Sequence, residues 1–116
     1  MCGICGFLYF DDNPVNPEWA RRMSDVQKHR GPDESGVHTG PRIALAHRRL
    51  SIIDLSTGRQ PLSNENHTVW ISFNGEIYNF EELNRSLAAN HTFRTRSDTE
   101  TIVHLYEQYP DGFVSM

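Results

Sequence analysis

The sequence predicts a single α+β domain built from layers of strands and helices, and three observations indicate it. Short apolar runs rich in β-branched and aromatic residues lie between turn-forming Gly, Pro, Asp and Asn residues, which is typical of strands. Other segments begin with helix N-cap residues and continue with apolar residues at helical spacing. The two kinds of segment are mixed along the chain, with no internal repeat and no low-complexity segment.

The first half of the chain is predicted to form a strand, a helix and a second strand. Residues 4–10 are apolar and aromatic and are followed by a polar turn, so they predict a buried strand. Asn16, followed by Pro17, is a typical N-cap and first helical position. The extended, apolar-rich segment 42–53 predicts the next strand. The helix is expected to bury one face: Trp19, Met23 and Val26.

The second half is predicted to form one strand and two helices. Residues 69–73 predict a strand that runs into Asn74-Gly75. The pairs Asn79/Glu82 and Ser97/Glu100 resemble capping boxes, each of which opens a helix. The expected buried positions are Phe80, Leu83 and Leu87 in one helix, and Ile102, Leu105, Tyr106 and Tyr109 in the other.

Size and composition exclude several classes of protein. With 116 residues, 37% hydrophobic and 22% charged, the chain suits one globular domain with a core. A net charge of −4 and no basic run longer than residues 47–49 argue against a nucleic-acid or anionic-membrane partner. No segment approaches the ~20 apolar residues of a membrane helix, and no signal peptide is recognisable. The expected compartment is the reducing cytoplasm, where both cysteines remain thiols.

The second residue, Cys2, is the strongest candidate for a nucleophile. Removal of Met1 would place its thiol and the free α-amine of the chain on one residue. The thiolate is the reactive form, and an α-amine, with a reference pKa of ~7.7–8.0, is able to take the thiol proton near neutral pH. The alternative is that Cys2 only begins a buried strand.

Cys2 and Cys5 also form a Cys-x-x-Cys pair, which raises redox and metal alternatives. A thioredoxin-like pair lies between a strand and the start of a helix, whereas here a strand follows and nothing precedes. A structural zinc site needs four ligands, and the six histidines show no ligand spacing in the sequence. We therefore expect no metal site, and we expect Cys5 to be a small core residue.

Asn74, Gly75, Arg49 and Asp98 are the remaining candidates. An Asn amide and a Gly N–H at a strand end are suitable oxyanion donors, although Asn-Gly also favours a tight hairpin turn. Arg49 lies in an apolar strand and needs a carboxylate, either internal or from a ligand. Asp98 lies in a first helical turn, where the helix dipole alone favours an acidic residue.

Five blocks in this order resemble the amino-terminal glutaminase domain of glutamine-hydrolysing asparagine synthetases, which are class II glutamine amidotransferases: residues 1–6, 29–33, 45–54, 73–79 and 96–100. The resemblance covers the whole chain. It implies an N-terminal-nucleophile hydrolase fold, a layered α/β/β/α sandwich that is incomplete in this chain. It also favours the asparagine synthetase branch over the hexosamine and purine branches.

The resemblance implies a role for each candidate. Cys2 is expected to attack the side-chain amide of L-glutamine, while Asn74 and the Gly75 N–H hold the oxyanion. Arg49 is expected to bind the substrate α-carboxylate, and Asp98 and Glu76 its α-ammonium group. The segment formed by Leu50, Ser51, Ile52 and Ile53 is expected to line the pocket.

The resemblance also defines what residues 1–116 lack. They are expected to be part of a glutamine amidotransferase domain without the synthetase domain, which would bind ATP and magnesium. No cofactor is expected in this chain, and its partners are expected to be L-glutamine and a synthetase domain in cis or in trans. A homo-oligomer is a further expectation, since missing strands would leave apolar surface uncovered. An amidotransferase acting on another acceptor, and a non-catalytic interaction or structural fragment, remain alternatives.

Overall fold

The structure, a computed structural model, describes residues 1–50 and 58–116 and divides into two compact units. In the described part, the first unit comprises residues 1–50, 59–61 and 72–74, and the second comprises residues 58, 62–71 and 75–116. The elements are β1 (Gly3–Leu8), α1 (Pro17–Val26), β2 (Glu34–Thr39), β3 (Ile43–Arg49), β4 (Leu62–Ser63), β5 (Trp70–Ile71), α2 (Phe80–Leu87), α3 (Asp98–Gln108) and a 3₁₀ turn at Phe113–Ser115.

The first unit is an antiparallel sheet with strand order β1-β3-β2, and α1 packs on it. The register places Gly3 opposite Arg48 and Glu34 opposite Arg49. The prediction did not include β2, because its sequence is mostly polar and contains a glycine. Its extended conformation follows from the ladder with β3 rather than from an apolar pattern of its own.

Helix α1 begins as predicted but buries a different face. The Asn16 side chain accepts a hydrogen bond from the Glu18 N–H at 3.0 Å, which confirms the cap. Ala20 and Ser24, one turn apart, are buried, whereas the side chains of Trp19 and Val26 are 53% and 77% exposed. The predicted face was therefore wrong. Small side chains on α1 suit close approach to a strand that is itself lined by alanines, and the resulting cluster contains Ala20, Ala44 and Ala46.

The second unit contains the short β4–β5 ladder and the packed helices α2 and α3. Asn79 precedes α2, but within the described part its side chain makes no capping hydrogen bond, so the predicted capping box with Glu82 is wrong. Its φ of −97° and ψ of 16° are not the extended conformation that N-caps usually adopt. Leu87 is fully buried, as predicted.

Helix α3 begins with half of the predicted capping box. The Ser97 hydroxyl accepts from the Thr99 N–H at 3.2 Å, which confirms the cap. The Glu100 carboxylate accepts instead from the N–H groups of Arg94 and Thr95, at 2.8 and 2.7 Å. Of the expected apolar face, Leu105 is buried and Tyr106 is 45% exposed. The buried face of α3 is therefore partly polar.

The architecture is a mixed α and β fold with antiparallel sheets, as the α+β prediction required. None of the helices in the described ranges combines the length and the apolar character that crossing a bilayer demands.

Candidate active site

The half-buried Cys2 directly precedes β1 and is held by contacts from the segment that follows α1. Arg30 Nε donates to the Cys2 carbonyl oxygen at 3.3 Å, and Gln27 Nε2 donates to the Ile4 carbonyl oxygen at 3.3 Å. The Leu50 N–H points to the Cys2 sulfur, with 3.5 Å between N and Sγ. Both the backbone and the thiol of Cys2 therefore have defined partners.

Gly31 lets the segment that carries Arg30 lie directly against β3. A Cβ atom at this position would be 2.4 Å from the carbonyl carbon of Arg48 and 2.6 Å from the Arg49 nitrogen. Any other residue would therefore push this turn away from the strand. Arg30 and Gly31 were part of a recognised sequence block, but the sequence assigned them no function.

Cys5 differs from Cys2 in its position. It lies within β1, where it packs against the alanine cluster. Burial raises the pKa of the Cys5 thiol, and the charge of Arg48 only partly offsets this effect. Three residues of extended chain span ~10 Å, beyond the Cα separation that a disulfide allows. The geometry therefore separates the two thiols, and both are free.

Asn74 lies at the pocket that contains Cys2. The pocket has a volume of about 290 Å³ and is lined by Cys2, Gly3, Ile4, Gln27, Arg30 and Asn74. The two residues before Asn74 are anchored in the first unit. Ser72 Oγ lies 3.0 Å from His47 Nδ1, and the Phe73 N–H donates to Gln60 Oε1 at 2.6 Å. These bonds fix the chain that leads to Asn74, which lines the pocket together with Cys2.

The alternative interpretation of Asn74-Gly75 as a tight hairpin turn is wrong. A type I′ turn requires positive φ at both central residues. In the described ranges positive φ occurs at His67 and Gly58, and neither Asn74 nor Gly75 adopts it. The next element after this dipeptide is helix α2, so no returning strand pairs with β5. Both residues are exposed.

Arg49 has an internal carboxylate partner. Its Nη1 lies 3.4 Å from Glu34 Oε2, and Arg59 Nε lies 2.6 Å from Glu34 Oε1. Burial raises the pKa of Glu34, but the hydrogen bonds and charges of Arg59 and Arg49 outweigh it and leave the pKa lowered. Extending the β1–β3 register by one residue places Cys2 opposite Arg49. A guanidinium therefore lies on the strand position nearest the candidate nucleophile.

The most buried guanidinium of β3 is that of Arg48 rather than Arg49. Arg48 is 8% exposed, forms an ion pair with Asp25, and donates from Nε to the Ser24 carbonyl oxygen at 3.2 Å. These groups lie on the α1 side of the sheet. Arg48 thus anchors the helix, and alternation along the strand leaves Arg49 on the opposite face.

His47 is a buried neutral imidazole that the sequence did not single out. It is 1% exposed, and burial lowers its pKa to about 4, with the charge of Arg49 adding to the effect and that of Glu34 opposing it. A neutral His47 fixes Ser72 through the Nδ1 contact described above. It therefore positions the segment that leads to Asn74.

The remaining predicted residues belong to the second unit or lie outside the described ranges. Asp98 accepts a hydrogen bond at Oδ2 from the Ile77 N–H at 2.8 Å, so it holds the backbone directly after Glu76. Glu76 is exposed. Leu50 contacts the Cys2 sulfur through its N–H. The other predicted lining residues, Ser51, Ile52 and Ile53, lie outside the described residues.

The geometry of the first unit combines a thiol, amide and N–H donors and a nearby guanidinium. Such a set suits nucleophilic attack on a carbonyl group of a small substrate that carries a carboxylate.

Comparison with known proteins agrees with this chemistry. A family model described as a glutamine amidotransferase domain matches residues 1–116. The chain is 49% identical over 117 residues to a glutamine-hydrolysing asparagine synthetase of Triphysaria versicolor and 48% identical to asparagine synthetase 1 of Arabidopsis thaliana. Its identity to the Zea mays asparagine synthetase is 47% over 121 residues. In each case the whole chain aligns with 20% of the relative, so it spans about a fifth of their length.

Proposed function

Because this chain belongs to the glutamine amidotransferase domain family, we propose that it hydrolyses L-glutamine to glutamate and ammonia, with Cys2 as the nucleophile. The observation that carries the proposal is the pocket shared by Cys2 and Asn74. Burial raises the pKa of the Cys5 thiol above its ordinary value, which argues against Cys5 as the nucleophile because a protonated thiol is a poor nucleophile.

The proposed reaction begins once Met1, 77% exposed, has been removed. The freed α-amine of Cys2 accepts the thiol proton, and the sulfur attacks the side-chain amide carbon of glutamine. The Asn74 amide and the Gly75 N–H stabilise the oxyanion of the tetrahedral intermediate. The C–N bond then breaks, the amine returns its proton to the leaving nitrogen, and ammonia departs. Water hydrolyses the remaining thioester to glutamate and regenerates the thiol.

Substrate recognition is proposed to rest on charge. Arg49 would bind the α-carboxylate of glutamine, in competition with Glu34, which lies 3.4 Å away. Asp98 and Glu76 would receive the α-ammonium group, and residues 50–53 would line the pocket. One cation and two anions match a zwitterionic amino acid.

The ammonia is proposed to supply a synthetase domain, in cis or in trans, that amidates aspartate using ATP and magnesium. This assignment follows the names of the relatives, of which the chain covers a fifth. We also propose that the domain has the layered N-terminal-nucleophile hydrolase fold, with which the antiparallel sheets and helices are compatible. Amidation of another acceptor, and a non-catalytic role, are the competing proposals.

The test measures ammonia released from L-glutamine by the full chain with Met1 removed. Cys2→Ala should abolish release, and a retained Met1 should reduce it severely because acylation removes the base. Cys5→Ser is the matched control and should retain most activity. Equal loss in both cysteine variants would favour a dithiol or metal site, and an inactive parent chain would favour the non-catalytic role.

A further inference from the structure

Two histidines and two glutamates of the second unit converge from three separate segments. Glu65 follows β4, His91 follows α2, and His104 and Glu107 lie one turn apart on α3. One ligand atom from each residue lies within 4.8 Å of the others. The search for ligand spacing in the sequence missed this cluster, because its members become neighbours only when α3 packs against the other two segments.

The distances match those between the ligands of a single metal ion. His104 Nδ1 lies 3.4 Å from Glu65 Oε2 and 3.3 Å from Glu107 Oε2. His91 Nδ1 lies 3.6 Å from Glu65 Oε1 and 3.6 Å from Glu107 Oε2. Tetrahedral ligands at ~2.0–2.2 Å from Zn²⁺ are separated by ~3.3–3.6 Å. Coordination would draw the ligand atoms that are up to 4.8 Å apart closer together, with one of the two Glu65 oxygens binding the ion.

Both imidazoles are shielded from solvent, and their rings are adjacent. The His104 side chain is fully buried, and the ring centroids of His91 and His104 are 4.6 Å apart. Within the described part of the chain, His91 Nδ1 is buried and has no hydrogen-bond partner, and the same holds for His104 Nε2. Of these two, His91 Nδ1 faces the cluster, and a buried nitrogen without a partner carries an energetic cost that a cation bound there would relieve.

The ligands are oriented by further polar groups. Asn64, fully buried, donates from Nδ2 to Glu107 Oε1 at 2.6 Å, which leaves Oε2 facing the imidazoles. Glu100, 1% exposed, places Oε1 3.6 Å from His104 Nε2. A carboxylate behind the distal nitrogen of a histidine is a common outer-shell arrangement in metal sites.

We propose that Glu65, His91, His104 and Glu107 form a binding site for one first-row divalent cation, with Zn²⁺ the best match to two imidazoles and two carboxylates. Four protein ligands leave no open position, so the ion has a structural role and joins α3 to the segments that carry Glu65 and His91. The site does not involve Cys2 or Cys5, which belong to the first unit.

The test titrates Zn²⁺ into the metal-free full chain by calorimetry and uses Co²⁺ as a spectroscopic probe. One ion per chain is expected, with visible cobalt bands but no thiolate-to-cobalt charge-transfer band. Glu107→Gln keeps an oxygen for Asn64 and replaces the ligating oxygen by an amide nitrogen. It should weaken binding by at least the roughly 10–100-fold that outer-shell changes cause. His91→Gln should also weaken Zn²⁺ binding by at least this factor.

Glu81→Gln and His29→Gln are the matched controls, since both residues are exposed and lie outside the cluster. They should leave Zn²⁺ affinity unchanged. The proposal is overturned if the parent chain binds no stoichiometric Zn²⁺, which would mean that the cluster is held by ion pairs alone. It is also overturned if Cys2→Ser abolishes binding or a thiolate band appears, since the thiols would then be the ligands.

Discussion

Cys2 and Asn74 line the same pocket of the first unit, although Cys2 precedes its first strand and Asn74 follows β5. Two separate sets of hydrogen bonds produce this proximity. Arg30 and Gln27 hold the backbone at and after Cys2, while His47 and Gln60 hold the two residues before Asn74. The proposed nucleophile and the proposed oxyanion donor are thus positioned independently of each other, so each is open to its own test.

Asn74→Ala should lower kcat for glutamine hydrolysis by ~10²–10³-fold and leave KM nearly unchanged. An oxyanion donor acts mainly in the transition state, so its loss affects turnover more than binding. Steady-state ammonia release measures both constants. Asn90→Ala, at another exposed asparagine, is the control. Unfolding of the Asn74 variant without a separable kinetic effect would argue for a purely structural role of Asn74.

Arg49→Lys should chiefly raise KM for glutamine, because a point ammonium cannot replace the planar fork of a guanidinium. Arg59→Lys is a matched control, since Arg59 contacts the same Glu34 carboxylate and is 78% exposed in its side chain. Kinetics of the two variants therefore separate substrate binding from pairing with Glu34. Equal changes in KM for both would show that Arg49 acts only through Glu34.

Gly31→Ala should lower the free energy of unfolding by about 1–3 kcal/mol, the usual cost of overpacking. The added Cβ would lie 2.4 Å from the backbone of Arg48, which belongs to a paired strand and has little freedom to move. Gly112→Ala is the control, because no atom lies within 4 Å of its Cβ position. Denaturant titration of both variants gives the comparison. Equal stability would mean that the turn shifts at little cost.

Stability should fall as the pH is lowered from 7 to about 4, and His47 should account for part of the loss. Its pKa is about 4 in the folded chain against 6.5 as the ordinary value. Between these values the unfolded chain binds the proton and the folded chain does not, so acid favours unfolding. The full difference corresponds to about 3 kcal/mol at 1.36 kcal/mol per pKa unit.

His47→Gln should therefore show a shallower loss of stability over this pH range, measured by denaturant titration at several pH values. His29→Gln, at an exposed histidine, should retain the steeper dependence of the parent chain. Glu34, whose pKa is lowered from 4.5, adds to the acid loss only from about pH 4.5 downwards, at the lower edge of this window. An unchanged slope in the His47 variant would place the acid sensitivity elsewhere.

Local sequence signals were sufficient to predict several helices and strands and insufficient to predict others. Asn16-Pro17 and Ser97 correctly marked the starts of α1 and α3, because N-capping depends on a few neighbouring residues. The prediction of the buried face of α1 was wrong, because a helix packed against Ala44 and Ala46 buries small residues rather than its largest ones. Strand β2 was missed because pairing with β3, and not composition, makes it extended.

The sequence by itself determined the candidates for the site: a cysteine at position two, an Asn-Gly dipeptide after a strand, and ordered blocks that resemble one family. These are local features or sequence patterns, which are recognisable without knowledge of the fold. Tertiary structure alone decided which residues meet. It placed Asn74 in the pocket that Cys2 lines, paired Arg49 with the Glu34 carboxylate, and assembled two histidines with two glutamates from three segments. Such contacts arise from strand register and helix packing, which depend on residues far apart in the chain.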